Sequence, residues 1–142
     1  MKKMLVLLIL ILAGMVSYSA TLSFSANTGD AELDVTLSDI NVEAKADIGG
    51  FSAELSISSG VSEKEISTMI TVEKMEPADV YYAVEIAKIQ NIPVEKVVTV
   101  YKKNKGKGWG VAAKELGIKP GSKEFKELKG KAKDKKEKGA KK

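Results

Sequence analysis

The sequence predicts an α+β domain in which a four-stranded antiparallel meander at 21–60 is followed by four or five short helices at 61–129. Three observations predict this class. Apolar and polar residues alternate with a period of two as far as Ser59, helix start signals follow from Ser62 onward, and all predicted strands precede all predicted helices. A lysine-rich tail at 130–142 contains nothing to bury and is predicted to be disordered.

The first segment is a predicted signal peptide at 1–20. Lys2 and Lys3 precede an apolar run from Met4 to Val16, and small residues follow it. This run is shorter than the roughly 20 residues that a membrane-spanning helix needs. We therefore expect export from a bacterium-like cell to the periplasm or cell envelope, with secretion and an uncleaved anchor as alternatives.

The meander is predicted from the alternation that begins at Leu22. A strand would place Leu33, Val35 and Leu37 on one face and the polar residues between them on the other. The same spacing recurs in the segments Leu22, Phe24, Ala26; Ile40, Val42, Ala44, Ala46, Ile48; and Phe51, Ala53, Leu55, Ile57. A bare strand edge near Leu22 or Phe51 would permit strand-mediated self-assembly, which is one alternative for the function.

Local start and stop signals predict the helices of the second half. Ser62 and Glu65 match a capping box, and Pro77 suits a first helical turn with Asp79 at its positive end. Further signals are Asn91 as a stop, Pro93 as a start, Gly117 as a stop and Pro120-Gly121-Ser122 before the last helix with Phe125 and Leu128.

The composition excludes several classes of function. The chain contains no Cys, no His and no Arg, so all 23 basic residues are lysines. Disulfides, the usual zinc, copper and haem ligand sets, and Ser-His or Cys-His relays are therefore excluded. We expect no cofactor and no metal. Without arginine, anion binding relies on lysine point charges and should depend on salt.

The charge is divided between the two halves of the chain. Residues 21–100 contain fourteen acids against five lysines, a net charge of −9, and residues 101–142 contain sixteen lysines against five acids, a net charge of +11. The two halves should attract each other or two different partners. For the basic half, those partners would be anionic envelope components such as lipid headgroups, lipopolysaccharide or acidic glycans.

The most distinctive segment joins glycines and lysines around the single tryptophan. Free backbone N–H groups beside these lysines could hold an anion at a predicted helix start, although the pattern is not a phosphate loop of the GxxxxGK[ST] type. The candidate anion-binding residues are Lys103, Lys105, Gly106, Lys107, Gly108, Trp109 and Gly110. The alternative, which we favour, is a structural loop in which Trp109 packs on Leu116, Ile118 or Phe125.

Other chemistry-bearing patterns are weaker. Asp30, Glu32 and Asp34 could hold calcium on one strand face, but a solvated acidic face is the simpler interpretation. Glu76 and Asp79 could act as a hydrolase pair, but carboxylates also stabilise a helix start. The turn at 113–118 is similar to that of a helix-turn-helix, yet no side chain suited to reading bases follows it, so no sequence-specific nucleic-acid binding is expected.

Three motifs carry a resemblance. Together the runs at 75–81 (MEPADVY), 105–110 (KGKGWG) and 116–122 (LGIKPGS), with Phe125, resemble a group of small exported bacterial proteins of uncharacterised function. The resemblance implies export and a single domain, and it implies no catalytic residue. The leading hypothesis is a non-enzymatic, envelope-associated binding or structural protein with a basic C-terminus. The alternatives are a carboxylate-based or calcium-dependent hydrolase of envelope polymers and the strand-mediated assembly.

Overall fold

The computed structural model describes residues 24–141, and the predicted signal peptide at 1–20 lies outside this part of the chain. Between residues 24 and 141 the chain forms helices and no strand. The helices are α1 (Ala31–Ala46), α2 (Ile48–Ser59), α3 (Glu63–Thr71), α4 (Pro77–Gln90), α5 (Val94–Lys103), α6 (Trp109–Glu115) and α7 (Lys123–Ala140). The predicted α+β class is therefore wrong, and the described part is all-helical.

The segment that was predicted as strands forms α1 because a second periodicity underlies the alternation. Leu33 and Leu37 are completely buried, whereas Val35, which a strand would place beside them, is 59% exposed. The buried apolar residues of α1 are Leu33, Leu37, Ile40 and Ala44, which follow the helical repeat. Asp30 caps the helix, since its carboxylate accepts a hydrogen bond from the backbone N–H of Leu33 at 2.8 Å.

The segment 48–59 shows the same ambiguity. Phe51 and Leu55, four residues apart, are buried, while Ile57, the next residue of the alternation, is 87% exposed. Asp47 closes α1 and caps α2, accepting a hydrogen bond from the N–H of Gly50 at 3.0 Å. The helix ends at Gly60, whose φ of 78° is left-handed and favours glycine.

The predicted starts of the later helices are confirmed. Ser62 and Glu65 form the capping box of α3, and α4 begins at Pro77 and ends before Asn91 in a left-handed conformation. From Ser62 onward, the local signals in the sequence predicted the helix boundaries correctly. These signals succeed because a cap is a contact between neighbours in sequence and needs no partner from elsewhere in the fold.

Helix α4 lies at the centre of the domain. All eleven residues from Pro77 to Ala87 are buried, and α1, α2, α3, α5 and α7 all contact the helix. A helix that is apolar on every side needs cover on every side. Asn41 of α1 fixes its start: the Asn41 side-chain oxygen accepts from the N–H of Ala78 at 3.1 Å, and its amide donates to Glu76 Oε2 at 3.1 Å.

Helix α7 lies along α1 and contains most of the segment that was predicted as a disordered tail. Phe125, Leu128 and Ala132 are its buried residues. Beyond them the helix continues to Ala140, so the predicted disorder at 130–142 is wrong for residues 130–140. None of the helices within residues 24–141 has the length and apolar character to cross a bilayer.

A pair of substitutions separates the helix from the strand. Leu37→Ala should lower the free energy of unfolding by about 2–5 kcal/mol because it removes a buried side chain. Val35→Ala should leave stability unchanged or raise it by up to about 0.5 kcal/mol, because an exposed helical position favours alanine. Urea unfolding measures both. Comparable losses from the two variants would indicate a shared buried face and would contradict the helix.

Candidate functional site

The predicted anion-binding residues surround the connection between α5 and α6. Lys103 is the last residue of α5, and its Nζ lies 2.8 Å from Oε1 of Glu115 at the end of α6. Lys105 and Lys107 project from the connecting turn and are exposed, and Gly106 between them has a left-handed φ of 96°. The turn therefore places two lysine side chains in solvent within three residues.

Trp109 lies inside the fold rather than on this surface. Its side chain is 1% exposed, stacks on Tyr101 with ring centroids 4.8 Å apart, and meets Tyr82 edge-on at 5.1 Å. The predicted packing of a buried, structural Trp109 is thus found, but the aromatic partners are Tyr101 and Tyr82. Such aromatic pairs stabilise a protein by about 0.5–1.5 kcal/mol beyond the burial of their area.

The carboxylate of Asp79 holds this aromatic cluster in place. Asp79 Oδ1 accepts a hydrogen bond from Trp109 Nε1 at 2.8 Å, and Oδ2 accepts one from the Tyr101 hydroxyl at 3.0 Å. Oδ2 also accepts from the backbone N–H of Glu76 at 3.2 Å, which caps α4. Burial raises the pKa of Asp79 above its ordinary value although these three hydrogen bonds act in the opposite direction.

The N-terminal segment crosses the start of α6 and occupies two of its backbone amides. The N–H of Trp109 donates to the carbonyl of Ala26 at 2.9 Å, and the N–H of Gly110 donates to the carbonyl of Asn27 at 2.8 Å. A Cβ at Gly108 would lie 2.4 Å from that of Asn27, so glycine is required for this approach. Two of the amides that were predicted to bind an anion are therefore used within the fold.

A polar cavity of about 260 Å³ lies beside this contact. Its lining includes Asn27, Asp79, Asn104, Lys105 and Gly106. Asn104 is buried and ties the loop to α6, since its amide donates to Glu115 Oε2 at 2.7 Å. The hydrogen bonds of Asn104 and Asp79 therefore fix the backbone on the two sides of the loop lysines. We call these contacts the loop frame.

The carboxyl group of Glu115 completes the electrostatics of the loop. Hydrogen bonds from Lys103 and Asn104 hold the pKa of Glu115 below its ordinary value, and the charges of Lys103 and Lys107 act in the same direction. Glu115 thus faces Lys103 directly. Lys105 and Lys107 have no carboxylate within 4.0 Å among the described residues.

Glu76 and Asp79 do not face each other across one cleft. The Glu76 carboxylate lies 2.6 Å from Lys45 Nζ of α1 and accepts from Asn41, while Asp79 faces Trp109 and Tyr101. A glycosidase pair requires two carboxylates on either side of one scissile bond. Both groups here are explained by the packing of α4 against its neighbours.

The acids proposed for calcium also have other partners. Asp30 and Glu32 lie 3.1 and 2.8 Å from Lys129 Nζ of α7, and Asp34 accepts from the hydroxyl of Thr28 at 2.7 Å. Within residues 24–141, no group of three or more acidic side chains is placed to hold a metal ion. These acids join α1 to α7 and to the N-terminal segment.

Sequence reasoning missed the link between Asp79 and Trp109, which are 30 residues apart. It also missed Asn27, Asn104 and Tyr101 as parts of the loop frame. No local signal could have found these contacts, because a cap or a glycine turn reports only its own neighbours. The available signal was the single tryptophan, because the N–H of a buried tryptophan needs a hydrogen-bond acceptor.

The comparisons with known proteins add no relative: the chain matches no protein-family model, no curated protein and no solved structure. The resemblance carried by the runs at 75–81, 105–110 and 116–122 stays a prediction.

Two tyrosines provide a test of the Asp79 cluster. Tyr101→Phe should lower the free energy of unfolding by about 1–2 kcal/mol because it deletes a hydrogen bond to a carboxylate. Tyr82→Phe is the matched control, since the buried Tyr82 hydroxyl has no hydrogen-bond partner within residues 24–141; its loss should be neutral or stabilising. Urea unfolding measures both, and an equal cost for the two variants would contradict the assigned network.

The raised pKa of Asp79 predicts a pH dependence. The protonated form is favoured in the folded state, so its stabilising contribution is fully present below the ordinary pKa of 3.8 and is lost as the pH rises through the higher pKa of the folded protein. The difference in unfolding free energy between the wild type and Asp79→Asn should therefore decrease with rising pH. Urea unfolding at a series of pH values from 3.8 upward measures this difference. A difference that stays constant or increases with pH would contradict the raised pKa of Asp79.

Proposed function

We propose that the protein is an exported, non-enzymatic binding protein that contacts anionic surfaces of the cell envelope through the loop between α5 and α6. The observation that carries the proposal is the pair Lys105 and Lys107, both exposed on a turn whose ends are anchored. Export rests on the predicted signal peptide at 1–20, and the class of partner rests on charge.

The anchoring favours binding because a backbone that is already ordered loses little freedom when a partner arrives. On one side, Asn104 donates to Glu115 and holds the end of α5 against α6. On the other side, Gly108 lies against Asn27, and Trp109 donates to Asp79. The lysine side chains remain mobile, but the backbone that carries them is defined at both ends.

The charge around the loop supports the same partner. Residues 102–126 contain eight lysines and two acids, Glu115 and Glu124. Lys114, Lys119, Lys123 and Lys126 are exposed in addition to the loop lysines. A lysine near an anionic lipid surface contributes about 1 kcal/mol, and salt screens this attraction. The geometry therefore suits an extended phosphate-bearing surface better than a small ligand in a closed pocket.

The test is binding of residues 21–142, the chain without the predicted signal peptide, to lipid vesicles. Vesicles containing phosphatidylglycerol should bind the protein at low salt, and vesicles of phosphatidylcholine should not. The double substitution Lys105→Ala/Lys107→Ala should weaken binding by about 10–30-fold.

The matched control removes the same charge elsewhere. Lys64→Ala/Lys96→Ala changes two exposed lysines of α3 and α5 and should weaken binding by less than about threefold, because only the long-range charge is lost. Equal losses from the two double variants would show that net charge decides binding and would remove the loop as the contact surface. Binding to the neutral vesicles would remove the proposed partner.

A further inference from the structure

We propose that the C-terminal part of α7, residues 133–140, is a latent lipid-binding surface whose lysines exchange carboxylates of α1 and α2 for the phosphates of an anionic lipid bilayer. The proposal rests on the proposed function for the class of partner only. Its geometry lies on a different surface, formed by α7, α1 and α2, and its test separates the two.

The apolar attachment of α7 stops part of the way along the helix. Phe125, Leu128 and Ala132 are its buried residues, at 9%, 1% and 0% exposure. No residue of α7 after Ala132 is buried in the described part of the chain. The first half of the helix is therefore part of the core, and residues 133–140 need another source of attachment.

That source is a set of ion pairs with α1 and α2. They join Lys133 to Glu32 at 3.5 Å, Lys135 to Glu54 at 2.9 Å and Lys136 to Asp39 at 2.5 Å. Their side chains remain partly in solvent, with exposures of 62% and 58% for the Lys133 pair. Such pairs shift an equilibrium by at most about fivefold each, and salt weakens them.

These carboxylates support the helix over residues 133–140. Lys133 lies four residues after Lys129 and Lys135 four residues after Lys131, which places like charges next to each other on the helix surface. Gly139 weakens the helix further, and the end of a helix frays when few contacts outside the helix hold it. The order of this segment therefore depends on the acids that face it.

Glu43 marks the close fit at the end of the segment. Its carboxylate occupies the space that a Cβ at Gly139 would need. The acidic side chains of α1 and α2 are thus arranged along α7 as a row of anions. The phosphates of an anionic bilayer also form an array of negative charges. Each lysine near such a surface increases the affinity for it by about fivefold. Because the two attachments are similar in strength, a bilayer can replace the carboxylates.

Two further lysines can begin the exchange. Lys138 and Lys141 are exposed and have no carboxylate within 4.0 Å among the described residues. They can contact a bilayer before any internal pair is broken. Contact raises the local concentration of phosphates at Lys136, Lys135 and Lys133. The segment therefore separates from α1 and α2, beginning at its C-terminal end.

The first measurement is hydrogen exchange of the backbone amides in residues 21–142, with vesicles containing phosphatidylglycerol or phosphatidylcholine. The anionic vesicles should lower the protection of residues 133–140 by at least about tenfold, and residues 123–132 should keep theirs because Phe125, Leu128 and Ala132 are buried in the core. Salt at about 0.5 M without vesicles should have the same local effect. Unchanged protection of residues 133–140 in vesicle-bound protein would overturn the proposal.

The second measurement uses Glu32→Gln/Asp39→Asn, which removes two internal carboxylates while conserving side-chain shape. This variant should bind anionic vesicles about fivefold to thirtyfold more tightly, because Lys133 and Lys136 no longer have internal carboxylates to exchange. The control Glu63→Gln/Glu95→Gln removes the same charge from exposed positions on α3 and α5 and should gain less than about threefold. Equal gains from the two variants would overturn the proposal.

Three more outcomes are decisive. In the first outcome, Lys105→Ala/Lys107→Ala weakens vesicle binding more than Lys64→Ala/Lys96→Ala does, and Glu32→Gln/Asp39→Asn still gains affinity. The latent surface then acts together with the loop. If the loop variant has no effect and the α1 variant gains affinity, the proposed function of the loop fails and the latent surface stands. A gain for duplex DNA with none for the vesicles would overturn the bilayer as the partner.

Discussion

The burial of α4 on all sides is the constraint on which the rest of the structure depends. Eleven consecutive residues from Pro77 to Ala87 are buried, and they include Asp79 and both Tyr81 and Tyr82. A sheet can cover one side of such a helix, but cover on every side requires several elements around it. The helices within residues 24–141 meet this requirement, because α1, α2, α3, α5 and α7 all contact α4.

The uneven charge of the chain contributes to the packing of this arrangement. Lys129 of α7 reaches Asp30 across 99 positions of sequence, and Lys131 lies 3.3 Å from the buried carboxylate of Glu85. The sequence predicted that the acidic and basic halves attract each other or two different partners, and these pairs join the two halves. Individual pairs at a surface are weak. Their combined effect is to join α7 to the start of α1 and to α4.

Much of the C-terminal half was predictable because its signals are local. The helix starts at Ser62 and Pro77 and the helix end at Asn91 depend on contacts with adjacent residues. The N-terminal half was mispredicted because Leu33 and Leu37 fit both a period of two and a helical repeat, and only burial, which depends on distant residues, decides between them. The loop lysines were found from composition. Asp79 as the partner of Trp109 was not, since nothing near either residue in sequence refers to the other.

The two lysine surfaces differ in what holds them, and this difference determines how each can respond. The loop of Lys105 and Lys107 is attached through buried groups, Asn104 and Trp109, so the solvent conditions that affect exposed charges leave its frame intact. Residues 133–140 are attached through exposed charges, so any condition that weakens those charges also releases the segment. A rigid surface gives contact that is always available, whereas a surface held by exchangeable pairs gives contact that depends on the concentration of competing anions. In the two proposed interactions, lysine therefore supports one constant and one conditional contact, because buried groups hold the first surface and carboxylates of α1 and α2 hold the second.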